Sequence, residues 1–119
     1  MKLLSTYLVV IAALLCSCQK KEYKDIQPAL EVAVKDVQGN PVSQVKVSLY
    51  ETLDDWKAAN NRVVESVTDA HGVVLFTDLN ERIYYISAHK EELNNKTSSV
   101  VLSNKLKLNT KAKIHTVIK

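Results

Sequence analysis

Along "ALEVAVKD" (29–36), apolar Leu30, Val32 and Val34 alternate with Glu31 and Lys35, a period of two that puts one set of side chains on each face of an extended strand. "SQVKVSLYE" (43–51) repeats the pattern, with Val45, Val47 and Leu49 directed inward and Gln44, Lys46 and Ser48 outward. Between them, "DVQGNP" offers Gly39 for a positive φ and Pro41 with its fixed φ, which predicts a tight turn. "TDAHG" predicts a second turn, in which Asp69 bonds to nearby backbone and Gly72 takes the left-handed region. In "VVLF" Val74 and Phe76 share a face, and in "IYYISAH" Tyr84, Ile86 and Ala88 do. Toward the C-terminus, Leu106, Leu108, Ala112, Ile114 and Ile118 all have the same parity. Short alternating segments separated by turn signals predict an all-β fold, an antiparallel Greek-key sandwich of about seven strands.

Two segments depart from this alternation. "TLDDWKAANN" carries Thr52 three residues before Asp55, an approximate capping box, and predicts one or two helical turns that cross between the sheets. "KEELNNKT" (90–97) reads as a polar loop.

The N-terminus is of another kind. Met1 and Lys2 precede the apolar run "LLSTYLVVIAALL", shorter than the roughly 20 residues that span a bilayer. A positive start followed by a short apolar stretch predicts a secretory signal over residues 1–17. Both cysteines, Cys16 and Cys18, lie at its end, and no further cysteine exists to complete a tetrahedral metal site. Leu15-Cys16-Ser17-Cys18 resembles the bacterial lipobox, with small Ser17 before the cut. That resemblance implies that Cys18 is the first mature residue, that it carries a diacylglyceryl thioether and usually a third acyl chain, and that it anchors the protein stably. Residues 18–27 then form the acylated cysteine and a polar tether, and residues 28–119 form the domain. Gln19 differs from the aspartate that often retains enteric lipoproteins in the inner membrane, which favours the outer membrane, facing periplasm or cell surface. The charged stretch after Cys18 also resembles the surface-export signals of Bacteroidetes lipoproteins.

At 119 residues, 46% hydrophobic and 24% charged, the chain has the composition of one globular domain. A net charge of +3 is too small to point to nucleic acid.

From Val32 to Ala88 the strands and turns combine into V-x-V-x-D-x-x-G-x-P-V-x-x-V-x-V-x-L-Y, then T-D-x-x-G-x-V-x-F-x-x-L, then Y-x-I-x-A. This pattern resembles the carboxypeptidase regulatory-like and Cna-B-type domains, which have a transthyretin-like (prealbumin-like) sandwich. Arg82 departs from it, standing where many such domains have glycine. The resemblance implies two chemistries that the residues do not supply. An internal Lys-to-Asn isopeptide would need a lysine where Glu31 stands and an acid near Ile86. The 5-hydroxyisourate hydrolases place a histidine where Ala33 stands and end in a Tyr-Arg-Gly-Ser signature, where this chain ends "HTVIK".

Candidate contacts are therefore non-catalytic. Trp56, Tyr50 and Tyr85 offer aromatic faces for a glycan or peptide, but for Trp56 the favoured reading is a lid packed on the open end of the sandwich, since a lone tryptophan usually buries most of its surface. His71, His89 and His115 lack the spacing of a common ligand motif and read as surface residues. Lys105, Lys107, Lys111, Lys113 and Lys119 form a basic stripe, suited either to anionic headgroups or polysaccharide or simply to solvation of an edge. Asn95 heads a formal N-glycosylation sequon. The expectation is a membrane-anchored envelope lipoprotein with no cofactor, carrying a binding module for an envelope protein or glycan. A purely structural spacer is the alternative and a hydrolase the third choice.

Overall fold

The computed structural model describes residues 24–97 and 99–119. Residues 1–17, read from the sequence as a secretory signal, and Cys18 lie outside the described residues. Among the described residues, seven strands and one helix follow in the order β1 (Ala29–Lys35), β2 (Lys46–Tyr50), α1 (Leu53–Ala58), β3 (Val64–Val67), β4 (Val73–Phe76), β5 (Tyr85–Lys90), β6 (Leu93–Asn94) and β7 (Lys111–Val117). They make two sheets, β4-β1-β7 and β3-β2-β5-β6, packed face to face as an all-β sandwich. The alternation read from the sequence is the cause. Leu30, Val32 and Val34 of β1, Val74 and Phe76 of β4 and Ile118 meet Val47, Leu49, Ile86 and Ala88 of the other sheet in one buried core.

All strand pairs are antiparallel except β1 with β7, which run parallel from Ala29↔Lys111 to Lys35↔Val117. A parallel pair needs a long connection that returns the chain to the end where its partner begins. The connection between β6 and β7 provides it. It runs back along β5 through a bridge between Tyr85 and Leu102, and delivers Thr110 beside Ala29, whose N–H donates to the Thr110 carbonyl at 3.1 Å.

The two predicted turns are built alike. Asp36 Oδ1 accepts the N–H groups of Gln38 and Asn40, both at 2.9 Å, and Gly39 has φ +87. Asp69 Oδ1 accepts those of His71 at 2.9 Å and Val73 at 3.0 Å, and Gly72 has φ +74. Where glycine was expected before the later strand, Arg82 spans back to Glu51, donating to its carboxylate and its carbonyl, each at 2.7 Å.

The helix is where the sequence put it, with Thr52 capping its N-terminus by accepting the Asp55 N–H at 3.1 Å. It does not cross between sheets. It joins β2 to β3, neighbours in the same sheet, and packs on β2 and β5. Part of the stretch read from the sequence as a tether, residues 18–27, packs with the domain, since Ile26 exchanges hydrogen bonds with Asn109, N–H to Oδ1 and N–H to carbonyl, both at 2.8 Å.

Candidate functional site

On β2, inward and outward side chains alike are buried from Val47 to Tyr50. A strand in water should bury one face only, so something covers the outer side of this sheet. Two insertions do. The first is α1 with its return to β3. The second is the segment after β5, in which β6 pairs with the end of β5 and Asn95 turns inward.

Between these walls, the cross-strand pair Ser48 and Ser87 forms the floor of a cleft of about 280 Å³. Tyr50 and Ala59 close one end, Arg62 lines the β3 side, and His89, Asn94 and Lys96 line the other. A second, shallower depression continues past His89, lined by Gln44, Lys46, Lys90 and Glu91. The outward side chains of the β2–β5 pair thus form a polar trough.

Its electrostatics are lopsided. Glu65 is the acid beside the floor, and it is already engaged, accepting the Ser48 hydroxyl at 2.8 Å and pairing with Arg62. The Ser48 hydrogen bond, ahead of the Arg62 charge, holds the Glu65 carboxyl below its ordinary pKa. Lys96 is the opposite case. Its ammonium lies 4.9 Å from the Trp56 ring centroid and 5.9 Å from that of Tyr50, and it donates to the Trp56 carbonyl. That carbonyl belongs to the C-terminal turn of α1, where a cation is favourable. No carboxylate among the described residues lies within ion-pair distance of it. Burial accordingly pushes its pKa below the ordinary lysine value.

The aromatic residues singled out from the sequence come together here, with Tyr50 opposite Tyr85 and Trp56 beside them. For Trp56 the arrangement matches the packed-lid reading. Trp56 is only 5% exposed, and its indole N–H donates to the Ile86 carbonyl at 2.8 Å, so it pins α1 to the sheet and has no free face for a ligand. Tyr50 is 3% exposed and overlaid by Lys96, while Tyr85 is half-buried. The physical reason is a gap in the backbone pairing along the buried outer edge of β5. Its Ile86 carbonyl points away from β2 and needs donors, which the Trp56 indole and the Asn95 amide provide.

Asn95, taken from the sequence as a loop residue, is buried. Its Oδ1 accepts the Ala88 N–H at 3.0 Å, and its Nδ2 donates to Ile86 at 3.0 Å and to Thr116 Oγ1 at 3.2 Å. The sequon is therefore structural. His71, His89 and His115 are exposed on three separate parts of the surface.

Sequence reasoning missed Ser48, Ser87, Arg62 and Lys96, which four distant segments contribute. The available signal was two serines at outward positions of strands otherwise marked by large or charged side chains.

No family model matches the chain, and no curated protein does. Among solved structures it is similar to the Bacillus anthracis TIE protein, with 17% identity and a TM-score of 0.56 over 79% of this chain. The chain spans 16% of the length of that protein, and the likeness is one of fold. Among the described residues no helix is long and apolar enough to cross a membrane.

Proposed function

We propose that the protein is a cell-envelope lipoprotein, anchored in the outer membrane through an acylated Cys18, whose sandwich is a non-catalytic binding module of the transthyretin-like, carboxypeptidase regulatory-like kind. The N-terminal sequence supports the anchor, and the order of strands and turns agrees with the family resemblance. The observation that carries the binding reading is the trough on the four-stranded sheet. It sets the Ser48 and Ser87 hydroxyls beside Arg62, His89 and a Lys96 ammonium that has no carboxylate within ion-pair distance among the described residues. That combination suits an oligosaccharide bearing acid groups: hydroxyls exchange hydrogen bonds with sugar hydroxyls, and a partly buried ammonium gains from an incoming anion.

The test is a titration of the mature protein with uronic-acid oligosaccharides and with neutral ones of equal length, followed by amide NMR shifts. Shifts confined to Ser48, Ser87, His89 and Lys96, at least tenfold weaker in affinity for the neutral sugars, are expected. Absence of shifts with both, in a folded protein, would leave the structural spacer as the reading. Mass spectrometry of the mature N-terminus tests the anchor separately, an unmodified Cys18 being the result that removes it.

A further inference from the structure

The outward face of the three-stranded sheet has no part in the trough. Strand register fixes its layout. Glu31 stands between Leu75 of β4 and Lys113 of β7, Ala33 between Val73 and His115, and Lys35 beside Val117. An outward sheet face is ordinarily polar. Here Leu75 and Val117 are 50% and 47% exposed, with Ala33 and Val73 partly exposed between them. Lys35, Lys111, Lys113 and His115 border these apolar groups. Glu31 is the one acid among these outward side chains, and it lies 3.7 Å from the Lys111 ammonium and 3.9 Å from that of Lys113, so the face remains cationic.

We propose that this face docks on the anionic headgroups of the bilayer that holds the lipid anchor. Apolar side chains bordered by lysines match the two layers such a surface presents, an acyl boundary for Leu75 and Val117 and phosphates for the ammonium groups. The proposal rests on the anchored reading of Cys18. From Cys18 to Asp25, next to the Ile26–Asn109 junction, the chain reaches at most roughly 25 Å fully extended. The face begins at Ala29 and Lys111, close to that junction, so the anchor keeps it near the membrane. A contact too weak to hold a free domain is then sufficient, because it is intramolecular. In this orientation the trough of the other sheet faces away from the bilayer, open to ligand.

The experiment uses the mature acylated protein in vesicles of phosphatidylcholine, with and without phosphatidylglycerol, and reads the rate of chemical lysine labelling residue by residue. Each lysine held at an anionic surface gains about fivefold in association. Labelling of Lys111 and Lys113 should therefore slow at least fivefold in anionic vesicles, with Lys46 and Lys90 on the other sheet unchanged. The protection should vanish at about 1 M salt, and should weaken in Leu75→Ser/Val117→Ser, whose exposed positions leave the core intact. Equal labelling of both faces in protein that floats with the vesicles overturns the docking and leaves the anchor standing. Protein that fails to float, with Cys18 unmodified, overturns both. Protection as strong in neutral vesicles, rising with protein density, places a second copy on this face and likewise overturns the proposal.

Discussion

Replacing Gly72 with alanine should destabilise the domain several-fold more than the same change at Gly39, although both glycines close equivalent turns. Both have positive φ, +87 at Gly39 and +74 at Gly72. A Cβ in the left-handed region costs about 1–2 kcal/mol, offset by about 0.4–1 kcal/mol because alanine has less freedom than glycine in the unfolded chain. The surroundings then separate the two. A Cβ at Gly39 meets nothing within 4 Å. At Gly72 it would lie 2.7 Å from the Val34 carbonyl oxygen, 2.9 Å from the Val42 nitrogen and 3.0 Å from Pro41 Cβ. Two of these are backbone atoms already bonded to one another, Val42 N–H to Val34 O at 3.1 Å, and the Val34 N–H donates to the Gly72 carbonyl at 2.8 Å. They have no room to yield without loosening both bonds. Overpacking adds about 1–3 kcal/mol, and each loosened bond about 1 kcal/mol. The expected losses are about 0.5–1 kcal/mol for Gly39→Ala and about 3–5 kcal/mol for Gly72→Ala, taken together from these terms. Urea unfolding followed by Trp56 fluorescence reads both, with unchanged m-values showing that stability has changed and the surface exposed on unfolding has not. Losses equal to within about 0.5 kcal/mol would refute the argument from crowding.

Trp56→Phe removes the indole donor but leaves the Ile86 carbonyl bonded to Asn95, so it should cost about 1 kcal/mol in thermal unfolding, against about 3–5 kcal/mol for Trp56→Ala. Asn95→Ala strands the buried Ala88 N–H and should cost about 2–4 kcal/mol by the same measurement, whereas loss of a surface loop residue would cost nearly nothing. Glu65 and Asp69 have folded pKa values below their ordinary 4.5 and 3.8, the first through the Ser48 hydroxyl and the second through the Val73 and His71 N–H groups. Because the folded values are the lower ones, the stabilisation is complete above those ordinary values and is lost as pH falls through the folded ones. Denaturation midpoints measured from neutral pH down to about pH 3 should fall less steeply in Glu65→Gln than in the parent.

Local features were legible in the sequence because local physics decides them. Asp36 with Gly39 and Asp69 with Gly72 close their own turns, Thr52 caps its own helix, and parity assigned the inward residues of β1, β2, β4 and β5. Features set by contacts distant in sequence were not. Nothing near Lys111–Val117 states that it lies parallel to β1, since that direction follows from where segment 95–110 delivers the chain. Asn95 looks like an exposed loop residue, and Trp56, though read as a packed lid, has no visible partner, until the Ile86 carbonyl draws both inward. The trough was illegible for the same reason: its floor is a cross-strand pair, Ser48 with Ser87, and its cations come from two separate connections.

The two outer faces differ because the insertions fall on one sheet. Strands β1, β4 and β7 present side chains directly to the surroundings, and alternation there gives a flat surface whose character is the residue list itself. On the other sheet α1 and the segment after β5 rise on either side of β2 and β5, turning an equally flat pair into a walled trough. The inward residues that make the sandwich are the same kind on both sheets, so the fold alone says nothing about function. What distinguishes this molecule lies in two connections, residues 51–63 and 91–103, and in how they are held. Trp56 and Asn95, one from each, meet at the same carbonyl of Ile86, and Lys96 joins the second connection to the C-terminal turn of the helix in the first. Neither wall is fixed independently of the other. A change at Ile86, Trp56 or Asn95 therefore reshapes the trough without touching its floor, while a change at Ser48 or Ser87 alters the floor and leaves the walls in place.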